Sequence, residues 1–310
     1  MEKNVPKHRA ISTFVSNTAS FSVGKLFNTP IIYLRVLKPR ETALLTLIGL
    51  CTAIVAGNGT PPLGRFLLVA VTIILGSAGT NGLTNYLDRR VDALMKRTQH
   101  RVLPSRLIDP PEKALVWAGS LVVVALALAL YLNPYAFIAG SVGVAAGLIA
   151  RKTWATHFLG TFSSCGPVLV GWFAIDPNLS PTVVLLSLVI LLWLPIHVWN
   201  LMIASEDDYL RAGVNMFPLN HGIALTGRVS VVLSLLLYAA SLSLYVVGHF
   251  GWVYFVAANL GGILMVRATV QMLYTGNRAA AYRIFKTSAY PFLGLTFLGL
   301  CGDVWLRMAL

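Results

Sequence analysis

Nine apolar stretches, near residues 42–56, 66–87, 114–131, 134–150, 158–175, 182–203, 229–247, 252–272 and 287–306, constrain the fold of this chain more than any other feature. In hydrocarbon every backbone N–H and C=O must find its partner inside the protein, so only helices and closed barrels can span a bilayer. A barrel would show short segments of strict alternation, whereas blocks such as LLTLIGLCTAIVA are continuously apolar. The expected fold is therefore all-α, a polytopic membrane helix bundle of about nine transmembrane helices.

The links between stretches carry turn residues, as at Asn133-Pro134, at Asp176-Pro177 with Pro181, and from Gly248 to Gly251. The net charge of +13 would point to nucleic acid in a soluble protein. Here it is a topology signal, and no nucleic-acid partner is expected. With the N-terminus in the cytoplasm and nine spans, all but Arg65 and Arg307 of the 24 basic residues fall on the inner side. The chain then divides into a basic cytoplasmic segment, 1–40, and a membrane-embedded body, 41–310. Nothing near the N-terminus reads as a cleavable signal, so the cell membrane is the expected location, with a multi-pass topology. Cys51, Cys165 and Cys301 lie in apolar stretches and form no C-x-x-C pair, so neither a disulfide framework nor a zinc site is indicated.

Chemistry concentrates between Asn81 and Pro104, NGLTNYLDRRVDALMKRTQHRVLP. A helix continued through Asp92 places Asn81, Asn85, Asp88 and Asp92 on one stripe. Asp88 and Asp92 lie about one turn apart, and Mg2+ accepts one or two carboxylates together with substrate phosphate oxygens. Lys96, Arg97, Arg101 and Arg106 follow, bases suited to the oxyanions of a diphosphate. A second cluster, Glu206, Asp207 and Asp208 followed by Arg211, ends the sixth stretch on the same expected membrane face. Either cluster alone reads as solvated boundary residues. Two together fit a two-metal diphosphate site in which Asp88, Asp92, Asp207 and Asp208 are the catalytic metal ligands, and Asn81, Asn85, Lys96, Arg97 and Arg101 contact the diphosphate.

These residues resemble the UbiA-type intramembrane prenyltransferases, and within them the protoheme IX farnesyltransferase branch. The first motif, D-x-x-x-D then M-x-R-T-x-x-R-x-L-P, is matched by Asp88, Asp92, Met95, Arg97, Thr98, Arg101, Leu103 and Pro104. The second is matched by Trp193, Pro195, His197 and Trp199, then Asp207, Asp208, Tyr209, Arg211, Ala212, Gly213, Met216 and Pro218. Lys38-Pro39-Arg40 and Arg151-Lys152-Thr153 are similar to weaker family features. The chain departs from the pattern at Thr84, where the family has Asn, and at Ile196 and Val198, where the branch has Pro and Phe. Ser205 and Tyr209 replace the outer acids of the wider family's second motif, a change the branch shares.

The resemblance implies transfer of farnesyl from farnesyl diphosphate to a vinyl group of haem B, with Mg2+ as cofactor and the active site facing the cytoplasm. It further implies haem contact at His197, Trp199 and His221, and a haem A synthase or terminal oxidase as an assembly partner. Two alternatives stand beside it: prenyl transfer to an aromatic or lipid acceptor, and secondary transport of an anionic solute past broken helices near Pro195 and Pro218. Acids at the membrane surface, away from the midplane, speak against the transporter.

Overall fold

The computed structural model describes residues 23–152, 156–214 and 216–309, and among them it contains helices and no strand. Much of the basic segment 1–40, and Thr153 of the Arg151-Lys152-Thr153 loop, lie outside the described residues. In chain order the helices are α1 (Val23–Val36), α2 (Pro39–Ala56), α3 (Leu63–Leu94), α4 (Glu112–Leu132), α5 (Pro134–Ala150), α6 (Thr156–Phe173), α7 (Pro181–Ala204), α8 (Glu206–Arg211), α9 (Phe217–Val247), α10 (Trp252–Thr275), α11 (Arg278–Thr287) and α12 (Leu295–Ala309). Each of the nine apolar stretches is helical. Among the described residues seven helical segments are long and apolar enough to cross a membrane, and α5 and α6 are shorter apolar helices. The chain is thus a multi-pass membrane protein, and its outer surface agrees. Val116, Tyr131 and Trp252 are 71%, 78% and 67% exposed, a degree of apolar exposure that suits lipid and not water.

The helices differ from the apolar stretches at three places that matter for the site. Helix α3 has 32 residues, about 48 Å at 1.5 Å per residue, and so outruns a hydrocarbon slab of about 30 Å. Its surplus turns carry Asp88 and Asp92. Helix α9 begins well before the apolar stretch at 229–247, and it is broken at Gly222, whose φ of 74° is open to glycine but costly for other residues. The last stretch opens with a π-helical turn, Ser288–Gly294, containing Pro291, which joins α11 to α12. Helices α1, α8 and α11 are short elements that the apolar pattern does not reveal.

Neighbours in sequence pack as neighbours in space from α2 round to α10, and α12 closes the bundle against α10 and α2. Helix α2 also crosses α6, which divides the bundle into two parts sharing one wall. That crossing needs glycine: a methyl built on Gly49 would lie 2.7 Å from the Pro167 carbonyl oxygen. The largest buried cluster joins α2, α6, α7, α9, α10, α11 and α12, with Ile48, Leu186, Ile190, Leu237, Tyr254 and Phe297 at its centre.

The two basic residues of the opposite face have structural partners. Arg65 donates from Nε to Ala174 O at 2.6 Å and from Nη2 to Leu132 O at 2.8 Å, capping the ends of α6 and α4. Arg307 pairs with Asp303 at 3.1 Å and donates to His249 O. Their departure from the charge bias follows from the carbonyls they serve.

Candidate active site

The stripe expected on α3 is present. Asn81 donates to Thr42 Oγ1 on α2 at 3.2 Å. Buried Asn85 donates to Val36 O at 2.5 Å, which leaves its own Oδ1 buried and without a partner. Thr84 Oγ1 bonds back to Asn81 O at 2.9 Å and receives Lys38 Nζ at 3.5 Å. Asp88 and Asp92, one turn apart, have different surroundings. Asp92 is 1% exposed, and its two oxygens are taken by Arg101 at 3.1 Å and by Lys152. Asp88 is half-buried, and its side chain makes no hydrogen bond or ion pair among the described residues. Burial, reinforced by the nearby Arg101 guanidinium, pulls the Lys38 ammonium down to about 8.

The second acidic cluster reaches the first through the backbone. Asp208, in α8, accepts the Lys96 N–H at 3.0 Å on Oδ1 and the Arg97 N–H at 2.8 Å on Oδ2, while Arg211 adds 3.1 Å to Oδ1. Burial raises the Asp208 carboxyl, but the two N–H donors together with the Arg211 and Arg97 charges outweigh it and hold the group below the usual range. Asp207 and Glu206 are both held by Arg278 at the start of α11, at 2.7 and 2.8 Å. That guanidinium keeps Asp207 low as well. Beneath this junction Met95, Met202, Tyr209, Val214 and Met216 form one buried cluster. Arg97 Nε is buried there with no partner, and the Lys96 side chain is exposed.

The three residues assigned to haem separate into two places. Trp199 stacks on Phe217 at 4.8 Å, and Phe217 on His221 at 4.5 Å, a ladder of flat rings on the acid-bearing face. His197 lies between Trp193 at 4.8 Å and Phe285 at 4.5 Å, with Nδ1 on Ser288 Oγ at 2.8 Å. Its ring is covered on both faces.

Two hollows meet the α3 stripe. A cavity of about 300 Å³ is lined by Arg35, Lys38, Asn85, Asp92, His100 and Arg101. An apolar crevice of about 100 Å³ starts at Asn81 and runs between α3, α4, α5 and α6 past Gly76, Thr80, Val122, Gly143 and Gly166. A basic, polar cavity and an apolar crevice thus meet neighbouring turns of α3, at Asn85 and at Asn81, an arrangement that suits an anionic head with an apolar tail. Among the described residues no three His, Cys, Asp or Glu side chains gather into a metal-binding group. The donor set that fits is the unpaired Asp88 carboxylate with Asp92 and the orphaned Asn85 Oδ1. Few protein oxygens, completed by phosphate and water, suit Mg2+.

Residue type alone does not reveal three cations of this site. In the sequence Lys38 and Lys152 stand only in weaker family features and Arg278 only as a topology charge. Lys152 and Arg278 meet their acids, and Lys38 meets Thr84, across tens of residues, where no periodicity points.

Fold and site together define an intramembrane prenyltransferase, and the chain belongs to the UbiA prenyltransferase family, whose model matches residues 43–295. Among its relatives, the protoheme IX farnesyltransferase of Desulforudis audaxviator is 33% identical, over 89% of each chain. That of Thermofilum pendens is 34% identical, over 86% of this chain and 95% of its own. A structure of digeranylgeranylglyceryl phosphate synthase shares the fold with a TM-score of 0.74 at 20% identity, covering 89% of this chain and 98% of that one. A UbiA homologue from Archaeoglobus fulgidus bound to GPP and Mg2+ does so with 0.62 at 15%, covering 87% and 99%.

Proposed function

We propose that this protein transfers the farnesyl group of farnesyl diphosphate to a vinyl group of haem B, making haem O and releasing diphosphate. The observation that carries prenyl transfer is the α3 stripe, which meets an apolar crevice at Asn81 and, from Asn85 to Asp92, a cavity lined by Lys38 and Arg101. The acceptor rests on the relatives, which are named protoheme IX farnesyltransferase over nearly their whole lengths. The allylic C–O bond breaks, the electron pair leaves with the diphosphate, and the vinyl group attacks the farnesyl cation. Water then adds to the resulting cation and gives up a proton, leaving a hydroxyl group. Water reaching the farnesyl cation first would quench it, so the reacting carbon belongs in the apolar crevice and the diphosphate in the polar cavity.

Asp88 and Asp92, with Asn85 Oδ1, would hold Mg2+, which supplies charge neutralisation of the leaving group. Lys38, Lys152, Arg97 and Arg101 take up the remaining diphosphate charge. Lys152 and Arg101 are held ready on Asp92 and turn to the substrate oxygens. The Trp199–Phe217–His221 ladder offers the porphyrin a flat aromatic face, while the covered ring of His197 supports the wall behind it. The basic residues of the acid-bearing face support a cell-membrane protein whose site opens to the cytoplasm, from which a haem A synthase or terminal oxidase would receive the product.

The test is purified protein in lipid supplied with farnesyl diphosphate, haem B and Mg2+. Diphosphate release together with a haem product heavier by one farnesyl group and one hydroxyl group supports the reading. Release that occurs only with an aromatic or lipid acceptor, or with none, overturns it.

A further inference from the structure

We infer that Asp208 is a positioning residue that fixes the turn after α3 and, through it, Arg97, and that it is not a metal ligand. The inference rests on the reading of the site as one for an allylic diphosphate. Three donors already occupy the carboxylate: the Lys96 N–H and Arg211 Nη1 on Oδ1, and the Arg97 N–H on Oδ2. Asp92 is also fully occupied, but by the flexible side chains of Arg101 and Lys152, which can swing to a diphosphate and free its oxygens. Main-chain N–H groups have no such freedom. The turn that presents them is closed by its own bonds, Thr98 N to Met95 O at 3.0 Å, Gln99 N to Met95 O at 2.8 Å and Arg101 N to Thr98 O at 2.9 Å.

Within that turn Lys96 and Arg97 follow the end of α3, and the acceptor their N–H groups find is Asp208. An acid supplied by another helix thus satisfies the donors that this turn cannot. Asp207, its neighbour, faces away to Arg278. The consequence falls on Arg97. Its main chain is pinned, Met95 beside it is wholly buried, and its Nε is buried without a partner. A guanidinium carried on a pinned main chain, with a buried donor unused, is arranged for an oxyanion that arrives with the substrate.

The experiment compares Asp208→Asn with Asp92→Asn by hydrogen exchange of the metal-free protein and by steady-state kinetics. For Asp208→Asn we expect faster exchange across residues 95–98, a KM for farnesyl diphosphate raised about 10-fold, and a Mg2+ half-saturation within about 2-fold of the wild type. Asp92→Asn shifts the Mg2+ half-saturation instead. In an Arg97→Ala background the effect of Asp208→Asn on KM should shrink to about 2-fold, since the anchor then has nothing to position. A Mg2+ half-saturation raised about 10-fold or more in Asp208→Asn, with exchange at 95–98 unchanged, overturns the inference. Should Asp208→Asn fail to fold, the wild type decides: the 95–98 amides are protected before Mg2+ is added, and protection that appears only with Mg2+ overturns it. Absence of any diphosphate release by the wild type would defeat the functional reading, while the exchange comparison would still test the anchor.

Discussion

Lys152 and Asp92 stand 60 positions apart in the chain and form an ion pair at the acid-bearing end of α3, where the carboxylate is 1% exposed. Arg101 takes the other oxygen at 3.1 Å, so one buried charge is shared between two cations. Replacing Lys152 by Met leaves Asp92 with one partner. Because Arg101 remains, the stability cost should be about 1–3 kcal/mol, below that of stranding a buried charge entirely. Loss of a cation that turns to the diphosphate should lower kcat/KM by roughly 100-fold. A thermal melt and steady-state kinetics on Lys152→Met check both. A variant with normal kinetics and a lowered melting temperature would confine Lys152 to a structural role.

Asp88 provides the contrast, since it has no hydrogen bond or ion pair to lose among the described residues. Asp88→Asn should therefore melt with the wild type or slightly above it, because a half-buried carboxylate is removed. Its turnover should fall roughly 100-fold or more, with a raised Mg2+ requirement. Asp92→Asn should lose on both counts. Equal melting losses in the two variants would contradict the different surroundings of the two acids.

Lys38 adds a pH dependence. Its folded value of about 8 lies below the ordinary 10.5 because of burial first and Arg101 second. Between those values the unfolded chain holds more protons, so stability rises with pH across that window and the ammonium is a cost below it. Activity should run the other way. As pH passes about 8 the ammonium is lost from the polar cavity, and the KM for farnesyl diphosphate should climb. Lys38→Arg, which does not titrate there, should lack this alkaline limb. A wild-type profile flat through that region would remove Lys38 from the substrate's surroundings.

For the acceptor, Trp199→Ala should weaken haem B binding about 10-fold in a Soret titration while farnesyl diphosphate binding stays close to the wild type, since one face of the ring ladder is lost. His197→Ala should act first on stability, because it opens the Trp193–Phe285 stack and removes the imidazole partner of Ser288. If the Trp199→Ala titration overlays the wild type and that of His197→Ala does not, the porphyrin lies on the His197 side.

Much of this protein is legible in its sequence because much of it is local. An apolar stretch becomes a helix in lipid whatever it packs against, and the spacing of Asn81, Asn85, Asp88 and Asp92 puts them on one stripe once α3 runs on to Leu94. The carboxylates, the bases after them and the second acidic cluster are likewise visible as residue types at the ends of apolar blocks. What those acids bind is decided elsewhere. Asp208 meets the Lys96 N–H across 112 positions, Arg278 meets Asp207 across 71, and Lys152 meets Asp92 across 60. No periodicity marks such pairs, because a charged side chain at a helix end takes whichever donor the folded loops bring within reach. The same two acidic motifs could each have held a cation. Tertiary structure leaves Asp88 open and spends Asp208 on the backbone, since the turn after α3 has N–H groups that nothing nearer satisfies.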